Sequence, residues 1–138
     1  MKILIMGIPG SGKTWLAERL QKHLECAWYN ADRVREMAND WDFTPEGRLR
    51  QANRMRTIGD FEKENGRTVI CDFVCPTEYT RDQFGADVTI WVDTIKQGRF
   101  EDTNNIFEEP ENPSYKVIKH LNDDEILNFA NLIKEEKL

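Results

Sequence analysis

Residues 7–14 read Gly7, Ile8, Pro9, Gly10, Ser11, Gly12, Lys13, Thr14, an unbroken G-x-x-x-x-G-K-[ST] string. It follows the run Lys2, Ile3, Leu4, Ile5, Met6 and precedes a segment with Leu16, Leu20 and Leu24 at helical spacing. A short apolar run ended by glycine predicts a strand buried on both faces, as in a parallel sheet. Strand, glycine-rich turn and helix in that order are the context in which this string cradles phosphates. The glycines let backbone N–H groups curl around the anion, and the helix N-terminus adds partial positive charge. Lys13 is then placed to reach the β- and γ-phosphates, and the Thr14 hydroxyl to ligate Mg²⁺. The predicted nucleotide-binding set is Gly7, Pro9, Gly10, Ser11, Gly12, Lys13 and Thr14, with ATP and Mg²⁺ as cofactors.

The remaining pattern extends this unit. The helix over 13–25 leads to a short strand at 27–29 and a helix over 32–38. The stretch 40–44 is a loop with two aromatic residues, Trp41 and Phe43. Thr44, Pro45 and Glu46 supply a cap, a first-turn proline and a first-turn acid. The helix they start runs to about Asn65, with Gly66 as its stop. Strands follow at 68–74 and 87–92, with a short fifth at 115–118. Asn122 to Glu125 match a capping box ahead of Ile126, Phe129 and Ile133. The segment 101–114 is polar and holds two prolines, and is predicted to be a loop serving as a lid. Alternating strands and helices predict an α/β fold, three layers α/β/α around a five-stranded parallel sheet, as one domain over 1–138.

Composition narrows the function. With 39% apolar residues in 138, the chain supports one core. No apolar run approaches the ~18 residues of a membrane span, and residues 1–6 lack a cleavage site, so the expected location is cytoplasmic, without a membrane partner. Three cysteines without a CxxC pair argue against a disulfide framework or a zinc site. The net charge of −6 opposes a grip on long duplex DNA. Six arginines nevertheless lie between Arg33 and Arg56 against four acids, whereas from Glu101 onward ten acids face four lysines. There is no N-K-x-D string for a guanine pocket, and a small kinase fits best. Two acids suit its needs. Asp32 follows the second strand, where a carboxylate can accept a hydroxyl proton, so Lys13 and Asp32 form the candidate catalytic pair. Asp72, near the carboxyl end of the third strand, joins Thr14 as a candidate metal ligand.

At these residues a family resemblance emerges. Asn30, Ala31, Asp32, Arg33, Val34, Arg35, then Asn39, then Asp42 to Arg48 resemble the D-G-D-N-[VI]-R, Asn and G-F-S-x-x-D-R of adenylyl-sulfate kinases. Asp72, Phe73, Val74, Cys75, Pro76 resemble that family's S-F-I-S-P, and Trp91, Val92, Asp93, Thr94 its F-V-D-[TA]-P. The resemblance covers roughly residues 1–95. It implies phosphorylation of the 3′-hydroxyl of adenylyl sulfate by ATP, giving ADP and 3′-phosphoadenylyl sulfate. It implies that Asp32 stands beside that hydroxyl, that Arg35 and Arg48 hold the phosphosulfate, and that Phe43 and Phe73 sandwich the adenine, with Val74 beside them. Asn53, or Gln51 on the same helix, corresponds to a further substrate-binding Asn. Many such relatives are dimers, which leaves a homodimer open.

The chain departs from the pattern at three places. Asn30 and Ala31 replace the first Asp and Gly of D-G-D. Cys75 replaces the second Ser of S-F-I-S-P. The R-D-x-K-G-L-Y segment is reduced, with Asp102 retained, Glu101 and Asn104 in place of its Arg and Lys, and Arg99 a nearby substitute. The lid is correspondingly short and acidic. A second reading therefore stands beside the first: a kinase for another hydroxyl, on a nucleotide, a polynucleotide end or modified base, or a small metabolite. Nucleic acid is a partner only under that reading; otherwise the partner is a small nucleotide. A third reading, a nucleotide-binding protein without catalysis, is opposed by the presence of Lys13, Thr14, Asp32 and Asp72.

Overall fold

The computed structural model describes residues 1–98 and 100–137. Arg99, the proposed substitute in the lid, lies outside the described residues. Among the described residues there are eleven elements. They are β1 Lys2–Met6, α1 Lys13–Leu24, β2 Ala27–Asn30, α2 Ala31–Ala38, α3 Pro45–Glu64, β3 Val69–Asp72, α4 Glu78–Phe84, β4 Val88–Val92, α5 Glu101–Ile106, β5 Tyr115–Val117 and α6 Asp123–Lys134.

The five strands form one all-parallel sheet in the order β2-β3-β1-β4-β5. All five residues of β1 are buried, as expected for a central strand covered on both faces. Their side chains divide by the two-residue period of a strand. Ile3 and Ile5 join Leu16, Leu20, Ile126, Phe129 and Ile133 in a core under α1 and α6. Leu4 and Met6 join Val34, Met55, Cys71 and Phe84 in a second core under α3 and its neighbours. Leu20 is fully buried, and each such side chain contributes about 2 kcal/mol. The sheet with helices on both faces is the three-layer arrangement predicted from the alternating pattern.

The caps anticipated from sequence are present. Thr44 accepts from the Gly47 amide at 3.2 Å, with Pro45 in the first turn. The Asn122 side chain accepts from the Glu125 amide at 2.9 Å, and Glu125 accepts in return from the Asn122 amide at 3.1 Å. At Gly47 a Cβ would lie 2.2 Å from the Asp42 carbonyl oxygen, so only glycine lets the 40–44 loop press on the start of α3.

Three expectations change. The strand read over 68–74 ends at Asp72, which leaves Phe73 and Val74 in the following loop. Helix α4 was absent from the sequence reading; it is two turns long, and its start is a local Thr77–Thr80 capping box without an apolar stripe. The segment 101–114 is not all loop, because Glu101–Ile106 is helical. Buried Thr103 anchors that turn, and the Asn104 carboxamide exchanges hydrogen bonds with the backbone of Gly98. Among the described residues no helix is long and apolar enough to cross a membrane.

Candidate active site

Parallel strands present their carboxyl ends at one edge, and the register fixes which residues meet there. Ile5 of β1 pairs with Asp72 of β3, and Asp72 pairs with Asn30 of β2. The loop 7–12 leaves β1 at this edge. Gly7 is required by close approach, since a Cβ there would sit 2.5 Å from the Val92 carbonyl oxygen. Gly12 caps α1 in the left-handed conformation at φ 100°. The Ser11 hydroxyl is buried with no hydrogen-bond partner among the described residues. The Lys13 ammonium donates to the Ile8 carbonyl at 3.1 Å, bridging the loop. Burial lowers its pKa to about 8, against the raising influence of Asp72 and Asp32.

Asp72 is nearly inaccessible but well supplied with donors. Trp28 Nε1 donates to Oδ2 at 2.5 Å, Asn30 Nδ2 to Oδ1 at 3.0 Å, and the Thr14 hydroxyl to Oδ1 at 3.4 Å. Burial raises its pKa, while these donors and Lys13 act in the opposite direction. A hydroxyl and a carboxylate oxygen are hard donors that fit Mg²⁺. Among the described residues no group of three or more His, Cys, Asp or Glu surrounds a metal. The donor set therefore suits a cation completed by phosphates and water, which is how Mg²⁺ is usually held beside nucleotides.

A cleft of about 860 Å³ opens from this point. Its walls include Lys13, Thr14, Asp32, Phe43, Arg48, Asp72, Phe73 and Val74, which brings most of the sequence-derived candidates together. Asp32 is exposed in the first turn of α2. The capping role is filled by Asn30, whose Oδ1 accepts from the Arg33 amide at 3.1 Å, so Asp32 is not the helix cap. Phe43 is half exposed; Phe73 is 8% exposed and meets Phe84 edge to face, so it lines the cleft from within the core.

Two candidates lie elsewhere. Arg35 is buried beneath the loop and does not line the cleft. It donates to the carbonyls of Asp40 at 2.7 Å and Asp42 at 3.3 Å, and its guanidinium covers the Phe43 ring at 4.4 Å. Asn53 is exposed, whereas Gln51, two residues earlier and about 200° around the helix, points inward. Gln51 donates to the Ala31 carbonyl at 3.0 Å and accepts from Arg54 at 2.5 Å. Arg48 does line the cleft, but it donates to the Phe43 carbonyl and to Asp102, each at 2.8 Å. The second of these bonds links α3 to α5 across the mouth.

Sequence reasoning missed part of the aromatic wall. Trp41 and Phe100, each about half exposed, line the same cleft. A smaller cavity of about 270 Å³ lies on the opposite side of the loop, between Gly10–Gly12, Trp15, Thr94, Lys119 and His120. The Trp15 and His120 rings are 4.0 Å apart, and the Arg19 guanidinium lies 3.8 Å from the Trp15 ring. His120 falls between β5 and α6, outside any motif; the isolated Trp15 in α1 was the available signal.

A family model described as an AAA domain matches residues 3–101, from β1 into α5. No curated protein matches the chain in sequence. Among solved structures, the protein APE1195 is 26% identical over 99% of this chain and 96% of its own, with a TM-score of 0.81. The Mycobacterium tuberculosis APS kinase, in complex with AMPPNP and APS, is 17% identical over 97% and 95%, with a TM-score of 0.73. A sugar kinase from a Janibacter species is 17% identical over 97% and 93%, with a TM-score of 0.70. Kinases of different acceptors thus share this fold, and the likeness to the APS kinase, at this identity, is one of fold. The sequence match over most of the chain decides the family: this protein belongs to the AAA domain family and has a P-loop kinase-like fold.

Proposed function

We propose that the protein is an ATP-dependent kinase. The carrying observation is that Lys13, Thr14, Asp32 and Asp72 line one cleft around the phosphate loop. In this reading the loop amides and Lys13 hold the β- and γ-phosphates. The cavity lined by Trp15 and His120 receives the donor base, because the two adjoining rings in its wall offer an apolar aromatic face to a planar heterocycle. Thr14 and Asp72 hold Mg²⁺, which supplies charge neutralisation at the transferred phosphoryl group. Asp32 accepts the proton of the acceptor hydroxyl. The hydroxyl oxygen forms the new bond to the γ-phosphorus as the bond to the β-γ bridging oxygen breaks, and ADP leaves with that electron pair.

For the acceptor, the reading from resemblance is adenylyl sulfate, supported by Phe43 and Arg48 in the cleft. A second reading is favoured by the pairing of the arginines. Arg35 is bound to backbone carbonyls and Arg48 to Asp102, so fewer free cations meet an acceptor than two phosphosulfate-binding arginines would provide. Trp41, Phe43 and Phe100 instead offer aromatic surface, which suits a nucleoside or nucleotide with less anionic charge. ADP release measured across adenylyl sulfate, nucleosides, nucleoside monophosphates, short oligonucleotides and small polyols decides between them. Release with adenylyl sulfate alone supports the first reading, and release with a nucleoside while adenylyl sulfate matches water removes it. No release above water with any acceptor would count against the kinase reading.

A further inference from the structure

Asn30 sits where three functional elements converge. Its Nδ2 lies 3.1 Å from Thr14 Oγ1 and 3.0 and 3.3 Å from the two oxygens of Asp72. Its Oδ1 accepts from the Arg33 amide at 3.1 Å and thereby caps α2, the helix whose first turn carries Asp32. The cap settles which way the carboxamide faces: the oxygen is committed to an N–H donor, so the NH₂ group faces the threonine and the carboxylate. Its location does not depend on a chance rotamer, because Asn30 and Asp72 are register partners across β2 and β3.

We propose that Asn30 is a positioning residue for the cation that accompanies the nucleotide. A carboxamide nitrogen has two N–H groups. One is given to the Thr14 hydroxyl oxygen and the other to Asp72. Thr14 then turns its own hydrogen toward Asp72 and keeps a lone pair for the cation. The carboxamide also adds no charge. An acid at position 30 would put two carboxylates about 3 Å apart, an arrangement relieved by a proton or a bound cation. With Asn30, Asp72 is the carboxylate in direct contact with Thr14, Asp32 standing apart in the first turn of α2, and one carboxylate with a hydroxyl is a weak cation site without phosphates. Asn30 thus makes the site one that accepts its cation together with the nucleotide. This rests on the kinase reading only in taking Thr14 and Asp72 as the groups that face the cation.

The test is Mn²⁺ binding followed by the electron paramagnetic resonance of the free ion, with and without a non-hydrolysable ATP analogue. Asn30→Asp retains a capping oxygen and loses the donor; it is expected to bind Mn²⁺ without nucleotide about tenfold tighter than the parent. Asn30→Ser can still cap α2 but is too short to span both partners. It is expected to weaken Mn²⁺ binding in the presence of the analogue about fivefold, while binding of the metal-free analogue is unchanged. If both variants bind Mn²⁺ as the parent does in both conditions, Asn30 is a helix cap only and the proposal is overturned. If Asn30→Asp does not fold, the Asn30→Ser result decides by the same criterion. If the parent binds neither the analogue nor Mn²⁺ with it, the phosphate-loop reading itself falls, an outcome distinct from matching variants.

Discussion

The two halves of the cleft are built by different means. On the donor side, position comes from backbone: a loop at the end of β1, strand ends in parallel register, and a helix start at Gly12. On the acceptor side, position comes from side chains that neutralise one another. In the cleft wall Arg48 binds Asp102, and outside the lining Arg50 binds Asp40 at 2.7 and 3.0 Å and Arg54 binds Asp40 at 2.9 Å. The arginine hydrogen bonds hold the Asp40 carboxyl well below the usual carboxylate range. A backbone-built site tolerates few alternatives and uses its cations on the ligand. A site built from ion pairs can re-pair, and its specificity depends on which carboxylate or substrate anion each guanidinium meets.

The largest expected effect tests the donor half. Lys13→Ala should lower phosphoryl transfer about 10³-fold with every acceptor, in line with losing a preorganised charge at the transferring group. Single-turnover rates check it, and activity within tenfold of the parent would break the assignment of the loop. The same residue predicts a pH dependence. With its pKa lowered to about 8, the nucleotide-free protein loses the Lys13 charge as pH rises through that value, so affinity for the nucleotide should fall from pH 7 to pH 9. Folding stability responds in the other direction. Between about 8 and the unfolded value of 10.5 the unfolded chain binds the proton and the folded chain does not, so this group makes the protein more stable as pH rises. Titrations of nucleotide binding and urea unfolding on the parent and Lys13→Met measure the two slopes.

Next comes the residue at the boundary between the halves. Asp32→Asn should reduce kcat about 10²- to 10⁴-fold as a lost general base, with affinity for the ATP analogue nearly unchanged. Equal losses in both would show instead that Asp32 acts through nucleotide binding.

Arg48 and Asp102 sharpen the comparison most directly, because one pair should give opposite results. Arg48→Ala is expected to raise KM for an anionic acceptor about tenfold by removing a charged hydrogen bond. Asp102→Asn frees the guanidinium and should lower that KM. The pair is solvent-exposed, worth at most about 1 kcal/mol, so neither change should move the melting temperature far. If both substitutions raise KM alike, the pair holds α5 in place and does not compete with the acceptor.

This contrast accounts for what could be read from sequence. Glycines, a lysine and a threonine at fixed spacing, after an apolar strand and before a helix, define the phosphate loop with little tertiary information. The order of strands and helices was legible for a similar reason: β1, α3 and α6 carry their periodicity or caps locally. The surroundings of Arg35 were not legible, because a sequence shows an arginine near the site but not that its guanidinium donates to two carbonyls of its own loop. Helix α5 was missed because its anchors, Thr103 and the Asn104–Gly98 bonds, are tertiary and leave no apolar period. Trp28 and His120 matter through contacts with Asp72 and Trp15, more than 40 and 100 residues away in sequence, which no local pattern records.

The smallest expected effects concern Gln51 and Asn53, two amides on one helix that the sequence left as alternatives. The helical period separates them by more than half a turn, so one faces α2 and the other solvent. Gln51 is buried, and its carboxamide joins the Ala31 carbonyl to Arg54, itself paired with Asp40. Gln51→Ala removes the hydrogen bond to the part-buried Ala31 carbonyl and the partner of Arg54, and should cost about 1 kcal/mol. Because Ala31 lies next to Asp32, kcat should also fall modestly as α2 loosens. Asn53→Ala removes an exposed side chain and should stay within about 0.5 kcal/mol of the parent. Urea unfolding and steady-state kinetics on the two variants separate them. A raised acceptor KM in Asn53→Ala, with stability intact, would restore it as a substrate contact and require α3 to rotate or its neighbour loop to open when the acceptor binds.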